Sequence, residues 1–221
     1  MKDGQAVMVN WSDVALEHRH AYYDWHCREH MVGRVALPGF VRGRRCIAAK
    51  ASRDFLVWYE VESIDVLTST AYLAKANAPS KLTRRTTPFI KNSTRGLARV
   101  LKSFGVGVGG CVLTLRFDAK PGSEGALENH LTSTALPAIA AIPEITGAHF
   151  CVADVEASTV VPEERKGRPT NIPRWIVLVE GVTLEAVNAV ADAHLSALSR
   201  HGCTDPVERD TYTLQIMVTK A

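Results

Sequence analysis

Apolar and polar positions alternate along the first hundred residues with two different periods. A spacing near 3.6 residues indicates amphipathic helices, whereas strict alternation or a short apolar run indicates strands. Pro38 and Gly39 interrupt the first helical pattern, which Ser12 or Asp13 is placed to cap. The predicted elements are a strand at 6–11, a helix from about 13 to 35, strands at 40–48 and 55–62, a helix from about 65 to 78, and a strand at 95–102.

The second half of the chain repeats this order. The first strands of the two halves are offset by 105 residues (111 minus 6), and the turn at Pro38 returns at Pro143 with the same offset. A charged, proline-bearing stretch at 155–173 separates the two middle strands and predicts a long hairpin loop that acts as a flap. The predicted elements are a strand at 111–117, a helix from 123 to about 139, strands at 145–153 and 175–181, a helix at 184–198, and a strand at 212–218.

A strand–helix–strand–strand–helix–strand order is typical of a ferredoxin-like unit, in which helices cover one face of an antiparallel sheet. Two such units leave two uncovered sheet faces, and each is the obvious partner for the other. We therefore predict an α+β fold of two tandem ferredoxin-like halves, 1–104 and 111–221, joined by a glycine-rich linker at 105–110. The halves pack sheet to sheet as an intrachain, pseudo-dimeric α+β barrel. A homodimer through the outer surfaces stays open as a further level of assembly.

The composition limits the class of protein. With 46% hydrophobic and 22% charged residues, the chain is typical of a soluble globular protein. A net charge of +3 is too slight to predict nucleic acid as a partner. No apolar stretch approaches the ~18 residues that indicate a membrane span, and the polar start of the chain does not match a signal peptide. Five scattered cysteines without CxxC spacing favour reduced thiols and a cytoplasmic location.

Two strings that match known motifs have better explanations in their context. The segment 26–30, HCREH, matches H-x-x-E-H, a zinc-protease pattern, but the duplication indicates another fold and no third ligand has a convincing spacing. We therefore expect no metal. The glycines at 105, 107 and 110 match a dinucleotide-binding string. A strand follows them where that site needs a helix, so a flexible linker is the better interpretation.

The segment 23–31, YDWHCREHM, followed by 37–45, LPGFVRGRR, resembles the dimeric α+β-barrel superfamily and within it the EthD-like proteins. In that family the first helix tends to carry an aromatic residue and then a histidine, which correspond here to Trp25 and His30. A Pro-Gly-Phe turn then leads into an arginine-bearing strand. The resemblance implies the barrel architecture through both halves but hardly specifies a reaction. Relatives include polyketide cyclases, cofactor-free monooxygenases, isomerases, dehydratases and haem enzymes.

His30 is the principal candidate for chemistry, because a neutral imidazole can act as a general acid or base near pH 7. The alternative is a helix-end histidine that is bonded to the backbone. Asn10 is polar on a strand where an apolar residue is expected, and Tyr59 lies on the third strand. Both are candidates to polarise a carbonyl or to hold an oxyanion. Alternation along that strand places Trp58 on the face opposite Tyr59.

Four further residues are candidates for binding a substrate, two on the first helix and two on the strands that follow. The arginine on the second strand belongs to a basic cluster at 42–45, which solvated surface explains as well as a site for an anionic substrate does. The second half has no counterpart of His30, because Ala135 occupies the position 105 residues later. The predicted substrate-binding residues are Trp25, His26, Trp58 and Arg44.

The resemblance implies a mostly apolar cavity that takes a small organic molecule. We predict acid–base chemistry without a cofactor: a cyclisation, dehydration, isomerisation or related lyase step in which His30 moves the proton. The alternative is a non-catalytic ligand-binding or stress-associated protein with the same cavity. A haem protein is a third option. It needs an axial histidine on an apolar wall, for which His149 and His194 are the candidates.

Overall fold

A computed structural model describes residues 1–2, 4–168 and 171–220 of the chain. Eight antiparallel strands form a closed barrel, and the helices pack around it. The strands are β1 (Ala6–Asp13), β2 (Phe40–Lys50), β3 (Phe55–Val61), β4 (Lys91–Phe104), β5 (Cys111–Phe117), β6 (Ile145–Ala153), β7 (Trp175–Gly181) and β8 (Glu208–Thr219).

The helices are short, and their geometry repeats along with the strands. Two π-helical turns, His26–His30 and Leu131–Ala135, interrupt the first helical segment of each half, with an offset of 105 residues (131 minus 26). None of the helices in the described ranges is long and apolar enough to cross a membrane. The α-helices are α1 (Arg19–Trp25), α2 (Met31–Val35), α3 (Thr70–Asn77), α4 (Lys81–Thr86), α5 (Glu124–His130), α6 (Leu136–Ala140), α7 (Val155–Thr159) and α8 (Leu184–His194).

The strand order around the barrel is β1-β3-β2-β8-β5-β7-β6-β4, which confirms the predicted fold class. Each half contributes four strands, in the orders β4-β1-β3-β2 and β8-β5-β7-β6, and each order is ferredoxin-like. β2 pairs with β8, and β4 pairs with β6, so both seams join strands of different halves. Because all eight strands belong to one chain, the barrel closes within a monomer.

The first helix begins later than the sequence pattern predicts. Ser12 and Asp13, the predicted caps, belong instead to β1, which pairs with β3 as far as Ser12 opposite Phe55. The Asp13 carboxylate accepts a hydrogen bond from the backbone N–H of Asp54 at 2.9 Å, so it extends the strand pair. A 3₁₀ turn at Leu16–His18 then leads into α1 without a side-chain cap.

The barrel interior combines an apolar core with buried charges. Arg44 on β2 donates hydrogen bonds to Glu60 on β3 and to Glu180 on β7, so the network connects the two halves across the barrel. All three side chains are 1% exposed. The Arg44 guanidinium also lies over the ring of Trp58, 4.1 Å from its centroid. Each buried charge has a partner of opposite sign, as the low-dielectric interior requires.

The glycine-rich linker is packed against the second half. The N–H of Gly107 donates to the carbonyl of Thr146 at 3.1 Å, and the N–H of Gly109 donates to Glu180 Oε2 at 3.2 Å. A Cβ atom at Gly109 would lie 2.5 Å from the backbone of Gly181. Glycine is therefore needed here for close approach of two backbones, and the interpretation of a flexible linker does not describe this segment.

The segment 154–174 between β6 and β7, the crossing segment, is the main difference between the halves. β7 begins 30 residues after the start of β6 (175 minus 145), whereas β3 begins 15 residues after the start of β2 (55 minus 40). The extra residues reach over to the first half. There, Ser158 Oγ accepts a hydrogen bond from the N–H of Leu97 at 3.0 Å, and the N–H of Glu163 donates to Asn77 Oδ1 at 2.9 Å.

Candidate functional site

A cavity of about 70 Å³ lies in the first half, between the first helical segment and the outer face of the sheet. Side chains of β1, β3 and β4 form its floor, α1 and the following π turn form one wall, and the crossing segment covers it. Five of the seven residues that the sequence predicts for a site line this cavity: His30, Tyr59, Asn10, Trp25 and His26.

The other two predicted residues, Trp58 and Arg44, lie elsewhere. Both side chains point into the barrel, on the opposite face of the sheet from Tyr59, and Arg44 is paired there with Glu60. Arg44 and Trp58 are opposite each other in the β2–β3 register, so they share a face. Their predicted role in substrate binding at this cavity is therefore wrong for a geometrical reason.

The π-helical turn sets the direction of both histidines. A π turn adds one residue to the helical path, and such turns occur often at functional sites. The imidazole rings of His26 and His30 lie nearly parallel, with centroids 5.6 Å apart. The His30 ring is also 4.3 Å from the Trp25 ring and 6.5 Å from the Tyr59 ring. His30 is thus held between the aromatic wall and the sheet.

The two histidines differ in their hydrogen bonds. His26 Nδ1 lies 3.3 Å from Arg45 Nη1. A guanidinium can only donate, so Nδ1 accepts, and the proton of neutral His26 is on Nε2. No hydrogen bond joins the His30 ring to another residue in the described ranges, and the ring does not cap the helix end. Of the two rings, His30 is the one with an open position for a ligand's proton.

Both histidines are neutral at pH 7. Burial lowers the pKa of His30 well below 6.5, and the positive charge of Arg34 lowers it further. Burial also lowers the pKa of His26 well below 6.5, and the charge of Arg45 adds to this effect. A neutral imidazole is the form that a general base requires.

The Tyr59 hydroxyl is the second reactive group in the cavity. The side chain is 3% exposed, and its hydroxyl has no hydrogen-bond partner in the described part of the chain. Burial raises the pKa of Tyr59, against the opposing charge of Arg34, so the hydroxyl keeps its proton. A Cβ at Gly43 would lie 2.7 Å from the Tyr59 ring, so glycine leaves the space that the ring occupies. The hydroxyl is available to donate to a ligand.

Asn10 on β1 is fixed in orientation by two neighbouring hydroxyls. Its Oδ1 accepts a hydrogen bond from Ser93 Oγ at 2.6 Å, and its Nδ2 donates to Ser12 Oγ at 3.2 Å. An amide nitrogen carries two N–H groups. The second N–H of Asn10 therefore remains for a ligand in the cavity.

Sequence reasoning missed the charged residues of the site. Arg95 on β4 lines the cavity, and the crossing segment adds Glu164, Arg165 and Arg168. Glu164 is held by an ion pair with buried Arg34, beneath the helix that carries His30. The charged stretch at 155–173 was the available signal, but a local pattern does not show which half of the protein a loop covers.

The second half has no equivalent site. The positions that match His30, His26 and Asn10 at the 105-residue offset are Ala135, Leu131 and Leu115, all buried in a continuous apolar core. Val179 on β7 stands where Tyr59 stands on β3, at the larger offset that follows the crossing segment. The repeated architecture therefore holds one polar cavity, in the first half, and a packed core at the matching place in the second.

The motif-like residues outside the cavity have structural partners. Glu29, the central acid of the HCREH string, accepts hydrogen bonds from Ser80 Oγ at 2.6 Å and Thr83 Oγ1 at 3.0 Å. Within the described residues, no three His, Cys, Asp or Glu side chains are grouped to hold a metal ion. Both ring nitrogens of His149 already have partners, Ser103 at 2.8 Å and Glu180 at 3.3 Å, so this residue does not fit an axial haem ligand.

The neutral histidines predict a specific loss of stability in acid. In the unfolded chain His26 and His30 take up protons near pH 6.5, whereas the folded protein resists this until a much lower pH. Their contribution to stability is therefore complete above pH 6.5 and is lost as the pH falls below it. Two such groups change the free energy of unfolding by about 2.7 kcal/mol per pH unit.

Urea unfolding between pH 7.5 and 5 measures this effect. The double variant His26→Gln/His30→Gln should lose less stability over that range than the unchanged protein. His20→Gln, which alters an exposed histidine of the same helix, should follow the unchanged protein. Parallel curves for the double variant and the unchanged protein would show that these rings protonate freely in the folded state.

Comparisons with known proteins agree on the fold. No family model and no curated protein matches the sequence. An anthrone oxidase-like protein superposes with a TM-score of 0.67 at 11% identity, covering 98% of this chain and 94% of its own. A proposed monooxygenase from Fusobacterium nucleatum subsp. nucleatum gives 0.66 at 9% identity, covering 100% and 96%. Another from Lactobacillus acidophilus NCFM gives 0.65 at 9% identity, covering 98% and 97%.

These structures fit the α+β-barrel superfamily that the sequence resembles. A proposed chlorite dismutase also superposes, with a TM-score of 0.57 at 12% identity over 96% of this chain and 95% of its own. Identities this low establish a shared fold. The reaction has to be argued from the residues of the cavity.

Proposed function

We propose that this protein is an enzyme of the EthD-like kind that moves a proton on a small, largely apolar organic molecule without a cofactor. One observation carries the proposal: an unbonded neutral imidazole, His30, faces a cavity that also holds an unbonded phenol, Tyr59. Buried polar groups normally have partners. Two groups without partners on one cavity, each in the protonation state that acid–base chemistry needs, are matched to a bound molecule.

A carbonyl compound suits these groups. His30 would take the proton from the carbon next to the carbonyl, and Tyr59 would donate a hydrogen bond to the oxygen on which negative charge develops. The free N–H of Asn10 would support the same oxygen. Return of the proton to another atom gives an isomerisation, loss of a leaving group gives a dehydration, and attack on a second carbonyl of the same molecule gives a cyclisation.

Exchange of carbon-bound hydrogen in D₂O tests the proton transfer without knowledge of the natural substrate. Ketones of increasing size, from cyclohexanone to 1-tetralone, are incubated with the protein, and the loss of the α-hydrogen signal is followed by ¹H NMR. We expect at least one ketone to exchange faster with the protein than in buffer that contains free imidazole. Exchange at the buffer rate across the whole series would contradict the proposal.

The alternative of a non-catalytic binding protein gives a different outcome in the same experiment. Its ligand would perturb the Trp25 indole signal on the cavity wall, and no α-hydrogen would exchange. The names of the fold neighbours favour another candidate, an oxygenation that begins when His30 deprotonates the substrate. Oxygen uptake with anthrone as the probe distinguishes that reaction. A Soret band in the purified protein would support the haem alternative.

Two wider expectations stay proposals. Five free thiols support a cytoplasmic location, where cysteines remain reduced. Further association through outer surfaces is open to light scattering. The halves 1–104 and 111–221 are proposed as the repeat units, supported by the matching strand orders.

A further inference from the structure

We infer that the molecule bound in this cavity is an organic carboxylate, held by Arg95, Arg165 and Arg168. The inference rests on the proposed function for the location of the ligand and extends it to the ligand's charge. Three arginine side chains and one carboxylate, that of Glu164, line the cavity, while both histidines are neutral. The charges of the cavity therefore do not balance within the protein.

The three arginines lack acidic partners, in contrast to the other buried arginines. Arg34, Arg44 and Arg116 are each at most 4% exposed, and each forms an ion pair with a carboxylate. No ion pair in the described ranges involves Arg95, Arg165 or Arg168. Burying a cation without a partner is costly, so residues of this kind are retained where a ligand supplies the charge.

The contacts of these arginines leave donor groups unused. Arg95, 6% exposed, donates from Nη2 to Tyr72 Oη at 3.1 Å and to Met8 Sδ at 3.6 Å, both neutral. Arg168 donates to the backbone carbonyl of Glu164. The Arg165 side chain forms no hydrogen bond in the described part of the chain. A guanidinium has five N–H donors, and two of them match the two oxygens of a carboxylate.

Repulsion among the three cations is visible in their proton affinities. Burial lowers the pKa of Arg165 to about 9, and the charges of Arg95 and Arg168 add to this. Burial also lowers the pKa of Arg168, although the nearby Glu164 opposes the effect. A bound carboxylate would remove this repulsion.

The arginines come from two parts of the chain that the fold brings together. Arg95 belongs to a first-half strand, whereas Arg165 and Arg168 belong to the crossing segment of the second half. The N–H of Arg95 donates to the carbonyl of Asn171 at 3.1 Å, which fixes the end of the crossing segment beside the strand. The carboxylate would thus be held at the covered side of the cavity, and the rest of the molecule would lie toward the aromatic wall of Trp25 and Tyr22.

Benzoate and benzamide test the inference as a matched pair of probes, since they differ in charge and hardly in shape. Binding is measured by calorimetry at low salt and by the shift of the Trp25 indole ¹H–¹⁵N signal, whose N–H donates to Thr83 Oγ1 at 2.9 Å. We expect benzoate to bind about 10-fold or more tightly than benzamide, as charge-assisted bidentate hydrogen bonds imply. The double variant Arg165→Gln/Arg168→Gln should lose this preference.

Lys166→Gln is the matched control, because it removes one positive charge from the same segment at an exposed position outside the cavity. It should keep the preference for benzoate. The double variant should melt at the same temperature as the unchanged protein or above it, because it removes unpaired buried charge. If it fails to fold, Arg95→Gln gives a second test from the other side of the cavity and should also lose the preference.

Equal binding of the two probes, no saturable binding of benzoate, or a preference that survives loss of the arginines would overturn the inference. His30→Ala separates it from the proposed function. That variant should stop proton exchange yet still prefer benzoate. A preserved preference in a protein that never exchanges protons would refute the acid–base function alone, and exchange without a charge preference would refute the carboxylate alone.

Discussion

His30→Ala should slow protein-catalysed α-hydrogen exchange by about 100-fold or more, which is the usual contribution of a general acid or base. The ring has no hydrogen-bond partner in the described ranges, and burial holds its pKa well below 6.5, so it is neutral and open to a proton. His26→Ala should cost much less, since Arg45 already occupies Nδ1 of that ring. The rate measured by ¹H NMR in D₂O gives both comparisons.

His20→Ala controls for the loss of a histidine from the same helix, because that side chain is exposed. Circular dichroism would establish that each variant is folded. Equal and small losses for His30→Ala and His26→Ala would favour a binding protein over an enzyme. Addition of free imidazole offers a further check, since it should partly restore exchange only in the alanine variant at 30, where the ring left a space.

Arg44→Met should lower the free energy of unfolding by about 3–5 kcal/mol at pH 7, the usual cost of removing one partner from a buried ion pair. Methionine fills similar space but leaves Glu60 and Glu180 without their shared cation inside the barrel. Burial acts to raise the pKa of Glu180, but the hydrogen bond from His149 and the charge of Arg44 outweigh it and lower the pKa to about 2. Without Arg44, this carboxylate would be protonated at a much higher pH.

Chemical denaturation measures the loss, and its dependence on pH identifies the cause. In the unchanged protein the contribution of Glu180 is present above the ordinary pKa of 4.5 and declines as the pH falls toward 2. The penalty in Arg44→Met should therefore shrink as the pH falls and its buried acids become neutral. Arg42→Met is the control, because Arg42 binds the same Glu60 from a part-exposed position and should cost less. A penalty that is equal at every pH would point to lost packing on Trp58.

The architecture could be predicted from the sequence because its signals are local and repeated. Each half has the same order of helical and strand periods, and one strong offset of 105 residues connects them. The seams β2–β8 and β4–β6 then follow from covering two bare sheet faces. The same local logic marked Asn10 as a polar residue on an apolar strand, and the structure places it beside His30 and Tyr59 at the cavity.

What could not be predicted depends on distant contacts. Alternation put Trp58 and Tyr59 on opposite faces, but no local pattern says which face carries the cavity. The choice of Trp58 and Arg44 as binding residues failed for that reason. Arg165 and Arg168 were missed because their importance depends on where the crossing segment lies, and that is decided by contacts such as Ser158 with Leu97, 61 positions apart in the chain.

The crossing segment also affects how readily this protein could acquire a new ligand by mutation. Loops tolerate substitution and insertion better than the strands and helices they connect. Two of the charges that face the cavity lie on such a loop, while the ion pairs that connect the barrel lie on β2, β3 and β7. Ligand choice and barrel stability are therefore encoded in separate parts of the chain, so selection can change the first with little risk to the second.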